Sequence, residues 1–466
     1  MDERTRTMPD PVRVLMTARV GGAALWALFG TCAVAFFAAA MLLCAGINGT
    51  LAIALVGAAC LLILLWGAKP AMGDGATGAT GETGAIVATW LCVALTGALA
   101  IAAHIALLPV KPGRYANVIA PLLNDMWNYD LLAAAAWEDG SFSGVYLLVC
   151  ALVSRLESFP QMTALKLFDM TCQCLCGAAV ARLALLRGAK GIGAVAGMLA
   201  CVLAPTMLMN AGVWLHCDAT FAMFALWGLV LILKDRPLWG CALWGLALGT
   251  KLQSAFLFPL LIPLFMKEKV DLRHLLALVA AALVSQLAIL LDGQGFFGVL
   301  SRYGAQIDAA KESFGLGDHA PGVYGLMNVA SVREFSGMGV CFAVAAALLV
   351  AFALLRARGE VSADGWLLGA LLLACGLPLV LPQMNARCLY LAGMLAFALA
   401  GNARRLLACA LLEFTSLCGY MASIFGNDVL PIQVLSLMAI AAAVLILQEL
   451  LAALTADGTS PEGDHA

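Results

Sequence analysis

Apolar runs of fourteen to twenty-seven residues recur from about residue 20 to residue 453, and charged residues rarely interrupt them. In hydrocarbon a backbone must satisfy its own hydrogen bonds, which leaves closed helices or closed barrels as the spanning structures. The alternating pattern of an outer-membrane barrel is absent, so helices remain. Composition agrees: 63% of the 466 residues are hydrophobic and only 12% are charged, against about a quarter charged in an ordinary soluble domain. The mean hydropathy is +0.97. A net charge of −2 gives no reason to expect nucleic acid as a partner.

The expected fold is therefore all-α, a polytopic integral membrane protein with about 14 transmembrane helices. Windows fall near 20–46, 50–67, 85–109, 160–184, 189–207, 218–233, 237–250, 253–267, 273–292, 337–355, 365–381, 388–402, 405–425 and 429–453. Several are shorter than the ~20 residues of a full crossing. The organisation reads as 1–84, a cytoplasmic N-terminus with two additional spans and a glycine-rich linker; 85–335, a membrane core with two external loops; 336–454, C-terminal membrane helices; and 455–466, a disordered cytoplasmic tail. Arg4, Arg6, Arg13 and Arg19 precede the first apolar run without a clear cleavage site, which reads as a retained span.

Charge asymmetry orients the chain. With the N-terminus inside, Arg182, Arg187, Lys190, Lys234, Arg236, Lys267, Lys269, Arg273, Arg356, Arg358, Arg404 and Arg405 face the cytoplasm. Asp125, Asp130, Glu138, Asp139, Glu157, Asp218, Asp308, Glu312, Asp318 and Asp428 face the other side, with Arg114, Arg155, Arg302, Lys311 and Arg333 spread over its two long loops. This assignment requires Val145 to Val153 to be a re-entrant or surface helix. Two long extracytoplasmic loops follow, near 111–160 and 292–336. Sixteen cysteines are present, nearly all within apolar runs, where small buried hydrophobes are the simpler reading. Cys172, Cys174 and Cys176 lie two apart on one helix and so point to different faces, which rules out convergence on one ion.

Ionisable residues at membrane depth are costly and are candidates for function. Asp218 opens a helix in AGVWLHCDAT, where the macrodipole favours a carboxylate; a plain N-cap is the simpler alternative, weighed against the neighbouring Trp214 and His216. Lys251 and Gln253 lie at an external helix end, where lysine either snorkels to headgroups or holds a lipid-borne phosphate. Lys166 and Asp169 form an i, i+3 pair that either serves a site or neutralises itself. Arg387, in LPQMNARCLY, stands on the side that the positive-inside rule disfavours, which an anionic ligand would explain.

The stretch WLHCDATFAMFALWGLVLILKDRPLWGCALWGLALGTKLQSAFLFPLLIPLF resembles the GT-C glycosyltransferases, in particular bacterial relatives of the GPI-anchor second-mannose transferase. Trp214, Asp218, Lys234 to Pro237, Gly245, Gly249, Lys251, Gln253 and Pro259 take the places of that family's pattern. ALKLFDM is similar to its lysine-bearing helix. The run from Ser301 to Asn328 is similar to its second loop, and LPQMNARCLY to its arginine element. The likeness covers roughly residues 85–425. It implies an inverting transferase that moves a sugar (mannose or another hexose) from a polyprenyl-phosphate-linked donor to a lipid, glycan or protein acceptor of the cell envelope. That places the chain among membrane lipids on the outer face of a bacterial inner membrane.

On this resemblance Asp218 is the expected catalytic or positioning acid, with Asp125 or Asp130 as base. Lys166, Trp214, His216, Lys251, Gln253, Arg387 and Tyr115 are the expected substrate-binding residues. The family's first loop begins with a catalytic aspartate and an aromatic, whereas this chain has Arg114 and Tyr115. An arginine cannot act as a base. Asn385 and Ala386 replace the family's His-Glu. No Asp-x-Asp motif is present, so no cofactor is expected and a metal is not indicated. A lipid or lipid-linked sugar transporter and a catalytically inactive binding relative are the alternatives.

Overall fold

The computed structural model describes residues 93–94, 96–98, 100–137, 142–314, 317–327, 332–357 and 359–457. The first two apolar windows, the linker at 73–84, part of the third window and the tail beyond residue 457 lie outside the described residues. So do Glu138 and Asp139.

Among the described residues the chain is helical, apart from a parallel pairing of Gly317–Asp318 with Met384–Asn385. Five helices are long and apolar enough to cross a membrane: Gln161–Leu186, Gly337–Arg356, Ala363–Val380, Ala403–Phe425 and Ile432–Asp457. A sixth is obtained if Gly191–Leu203 and Pro205–Trp214, bent by 41° at Ala204, form one broken span. Among the described residues shorter apolar helices include Asp218–Leu233 and Tyr390–Leu399. Val145 to Val153 lies in Gly144–Ser154, an 11-residue helix, whose length of about 16 Å falls well short of a crossing.

Burial separates inner helices from outer ones. Ala363–Val380 is 72% buried, whereas Gly337–Arg356 and Ile432–Asp457 are 28% and 33% buried. What those two helices expose is apolar, including Phe342, Leu349, Phe352, Leu437 and Leu451. A helix apolar on its exposed face as well as its buried one requires an apolar surrounding.

The first long loop, near 111–160, builds a small core of its own from Ile119, Leu123, Met126, Phe142, Tyr146 and Leu147. This core closes on Leu215 and Cys217, either side of His216. Helix Pro237–Thr250 packs so closely on Leu272–Ser285 and on the first loop that side chains would not fit. A Cβ on Gly249 would lie 1.6 Å from Ser285 Oγ, and one on Gly144 would lie 2.0 Å from the Gly249 carbonyl oxygen. Gly144 also has a φ of 51°, which an L side chain rarely adopts.

Candidate functional site

A helix must dispose of its last carbonyls, which have no partner within it. At the end of Pro237–Thr250 both long loops supply donors. The Tyr303 hydroxyl donates to the Leu248 carbonyl at 3.3 Å, and Gln286 Nε2 donates to that of Gly249 at 2.8 Å. Ser143 Oγ reaches the Gly249 and Thr250 carbonyls at 3.2 and 3.3 Å, and is itself held by Gln306 Nε2 at 3.0 Å. With the helix end fixed, Lys251 turns extended (φ −158°, ψ 132°) before a 3₁₀ segment, Leu252–Leu260. Its ammonium leaves the helix and donates to Asp218 Oδ1, above the Phe221 ring at 5.5 Å.

Asp218 is the first residue of Asp218–Leu233 and is 0% exposed. It is not an N-cap, because Cys217 holds that position. Its carboxylate is instead surrounded by donors from four segments. Besides Lys251, Asn210 Nδ2 donates to Oδ2 at 2.8 Å, His216 Nδ1 lies 3.3 Å from Oδ1, and an Arg387 terminal nitrogen lies 4.0 Å from Oδ2. Asn210 also donates to the Tyr420 hydroxyl at 2.9 Å. Trp214 stands edge-on to Tyr420 with centroids 5.0 Å apart, and the Arg387 guanidinium lies 4.7 Å from the Trp214 centroid.

The backbone around this cluster is irregular throughout. Asn210–Trp214 is a π-helix, a form that recurs at functional sites because it re-aims side chains. Leu215 (φ 58°) and Gln383 (φ 60°) are left-handed without being glycine, at a cost of about 1–3 kcal/mol each. Leu215 turns the chain into His216. Gln383 opens the turn in which Asn385 Oδ1 accepts the Arg387 backbone N–H at 3.0 Å.

The charge count is uneven. Lys251 and Arg387 share one carboxylate, and Arg387, only 6% exposed, keeps Nε and Nη1, the nitrogen 4.0 Å from Asp218, buried without a hydrogen bond. Arg114 adds a further cation, its guanidinium 5.3 Å from the Phe142 centroid, with Phe142 against His216 at 5.8 Å. His216 stays neutral: burial, and after it the Arg387 guanidinium, hold its imidazole well below its ordinary value. A neutral ring that donates Nδ1–H to Asp218 presents Nε2 as an acceptor.

His216, Cys217 and Asp218 offer ligand atoms within 4.8 Å of one another. They do not suit a metal ion, because Lys251 and Asn210 already occupy the Asp218 oxygens and Arg387 brings a second positive charge. The donor set favours an anion.

The structure thus brings together Asp218, His216, Lys251, Arg387 and Trp214. Others lie elsewhere. Asp125 is exposed on Ala120–Trp127, and Asp130 caps Leu131–Ala135 by accepting the Ala133 N–H at 2.8 Å. Tyr115 is half-buried in the π-helix Tyr115–Ile119 and bonds the Met162 backbone. Gln253 is half-buried, two residues beyond Lys251. Lys166 and Asp169 do not neutralise each other. Lys166, fully buried, donates to the carbonyls of Leu107 at 2.7 Å, Leu108 at 3.3 Å and Val110, so it caps the end of a helix. Asp169 accepts from the Tyr146 hydroxyl at 3.2 Å, and its Oδ1 has no partner.

Asn210, Tyr420 and Phe142 belong to the site without having stood out in the sequence. Asn210 carried a signal, being one amide inside the otherwise apolar run from Met207 to Leu215. Comparison with known proteins adds no relative: no protein-family model matches the chain, and no curated protein is detectably similar to it.

Proposed function

We propose that this chain is a membrane glycosyltransferase of the GT-C type. It moves a sugar from a polyprenyl-phosphate-linked donor to a cell-envelope acceptor, at the outer face of a bacterial inner membrane, on a scaffold of about 14 spans. One observation carries the reading: a buried cluster holds two cations against one carboxylate, and Arg387 Nε and Nη1, the latter 4.0 Å from that carboxylate, make no hydrogen bond. Buried polar groups are normally paired, and guanidinium N–H groups suit phosphate oxygens. The resemblance supplies the sugar and the lipid.

In the proposed step the acceptor hydroxyl donates a hydrogen bond to His216 Nε2, which orients it, while its oxygen attacks the anomeric carbon and its proton passes to the departing phosphate. The bond from that carbon to the donor phosphate oxygen breaks, and polyprenyl phosphate leaves with the electron pair. Arg387 and Lys251 balance the charge that develops there. Asp218 is saturated by donors and makes a poor base. Its role is to orient His216 and to hold Lys251 in place, as a carboxylate orients the histidine of a hydrolase.

The test uses full-length protein in liposomes with radiolabelled polyprenyl-phosphate mannose. Wild type should bind donor and release or transfer mannose; His216→Gln should keep binding and lose turnover by about 10²–10⁴. Binding without turnover in wild type would favour the inactive relative. Translocation of intact donor without cleavage would favour the transporter, which also employs broken helices at its binding site.

A further inference from the structure

Away from the charged cluster, helices Val332–Arg356, Ala363–Val380 and Ile432–Asp457 enclose a cavity of about 890 Å³. Its floor is buried and aliphatic, formed by Leu373, Leu450 and Leu454, while its rim is exposed and equally apolar, formed by Leu349, Phe352 and Leu451. The groove continues over Gly376, where an added Cβ would meet nothing within 4 Å. An aqueous ligand has no polar handle along this length. An occupant enters sideways, past an apolar rim, from the apolar surroundings that the outer helices require.

One charged residue lines the groove. Arg356 stands in the last turn of Val332–Arg356, exposed, and has no ion-pair partner among the described residues. The nearby acid Asp457 is committed, its carboxylate accepting the Ser362 N–H at 3.0 Å. Lys267, at the same end, is committed too, donating to the Ala357 and Gly359 carbonyls at 3.2 and 3.1 Å. Among the described residues Arg356 is therefore the cation available at the mouth. The 18 residues of Ala363–Val380 separate this end from the turn that carries Arg387, about 27 Å along a helix.

We propose that this groove is a binding site for one anionic phospholipid, with an acyl chain along Gly376 and the phosphate on Arg356. The volume lies within the ~300–1,000 Å³ of ordinary ligand sites. A guanidinium binds phosphate through paired N–H groups, and a long cationic side chain at a helix end reaches the headgroup level readily. The site is independent of the proposed transferase: loss of sugar transfer would leave it standing, and loss of lipid binding would leave the transferase standing.

Native mass spectrometry of the full-length protein in detergent tests this, with dioleoyl phosphatidylglycerol and dioleoyl phosphatidylcholine as probes. Wild type should retain one phosphatidylglycerol about tenfold more strongly than phosphatidylcholine. Arg356→Ala should reduce the first to the level of the second, and Gly376→Phe, which fills the groove, should reduce both about tenfold. Should Gly376→Phe fail to fold, Arg356→Ala, at an exposed position, decides the matter alone. Three results would overturn the proposal: no lipid retained by wild type, which would hand the groove to another segment of this chain; equal retention of the two lipids; or unchanged retention in Arg356→Ala.

Discussion

Two ion clusters lie at opposite ends of the helix bundle, and they use arginine differently. Arg405 sets both terminal nitrogens on Asp364 at 2.7 and 2.6 Å and its Nε on Glu449 at 2.8 Å, with Asn402 also donating to Glu449 at 2.9 Å. Two acids engage all three nitrogens of that guanidinium, and Arg404 lies 3.9 Å from Glu449 as a second cation. Arg387 differs: it shares a single carboxylate with Lys251, and its Nε and Nη1 are buried without a hydrogen bond. A cluster complete within the protein is a fastener. On the proposed function, the cluster with cation to spare is where the donor phosphate would sit.

The contrast is open to attack by substitution. Arg405→Met leaves Asp364 and Glu449 without their shared partner and should cost roughly 3 kcal/mol of stability, read by thermal unfolding in detergent, with donor binding unchanged. Arg387→Met should do the reverse: donor binding falls by about 1.5–3 kcal/mol, the worth of hydrogen bonds to a charged group, while the unfolding temperature barely moves. Equal loss of stability in the two variants would end the distinction. Lys166→Met strips three carbonyls of their donor and should cost about 1–3 kcal/mol of stability, again with binding unchanged; a selective loss of binding would return Lys166 to the site. Trp214→Leu removes the ring beneath Arg387 and should weaken donor binding by about 0.5–2 kcal/mol.

The smallest effect is a titration. His216 sits below its ordinary value because of burial first and Arg387 second. Its imidazole therefore stays neutral as pH falls through 6.5, where an unfolded histidine takes a proton, and stability drops as pH falls through that range. Arg387→Met removes one cause and should raise the His216 pKa in a histidine-labelled NMR titration, whereas Arg405→Met should leave it in place.

Much of the fold could be read from hydropathy because burial in an apolar medium is written residue by residue. The windows at 218–233 and 237–250 coincide with helices Asp218–Leu233 and Pro237–Thr250. Proline at one start, and charge at the turn between them, mark the boundaries. Where the chain leaves regular geometry, pattern says less. Asn210 and Asp218 meet across a π-turn and a left-handed Leu215, so no helical spacing could have paired them. The same limit hid the work of Lys166: a lysine that caps carbonyls and a lysine that holds phosphate look alike in sequence, because the carbonyls it finds belong to a segment nearly sixty residues away. Asp130 read as a candidate base for a related reason, since a cap reveals itself only when the following helix is seen to be five residues long.

The three carbonyls of Leu248, Gly249 and Thr250 are each held by a donor from one of the two long loops or beside one. Lys251 follows them directly, with no slack residue between the fastened helix end and the ammonium that meets Asp218. On the proposed function, lifting either loop to admit a lipid-linked donor would loosen the hinge on which that ammonium hangs, and entry and charge rearrangement would be a single motion: the door and the bolt would be the same piece of backbone.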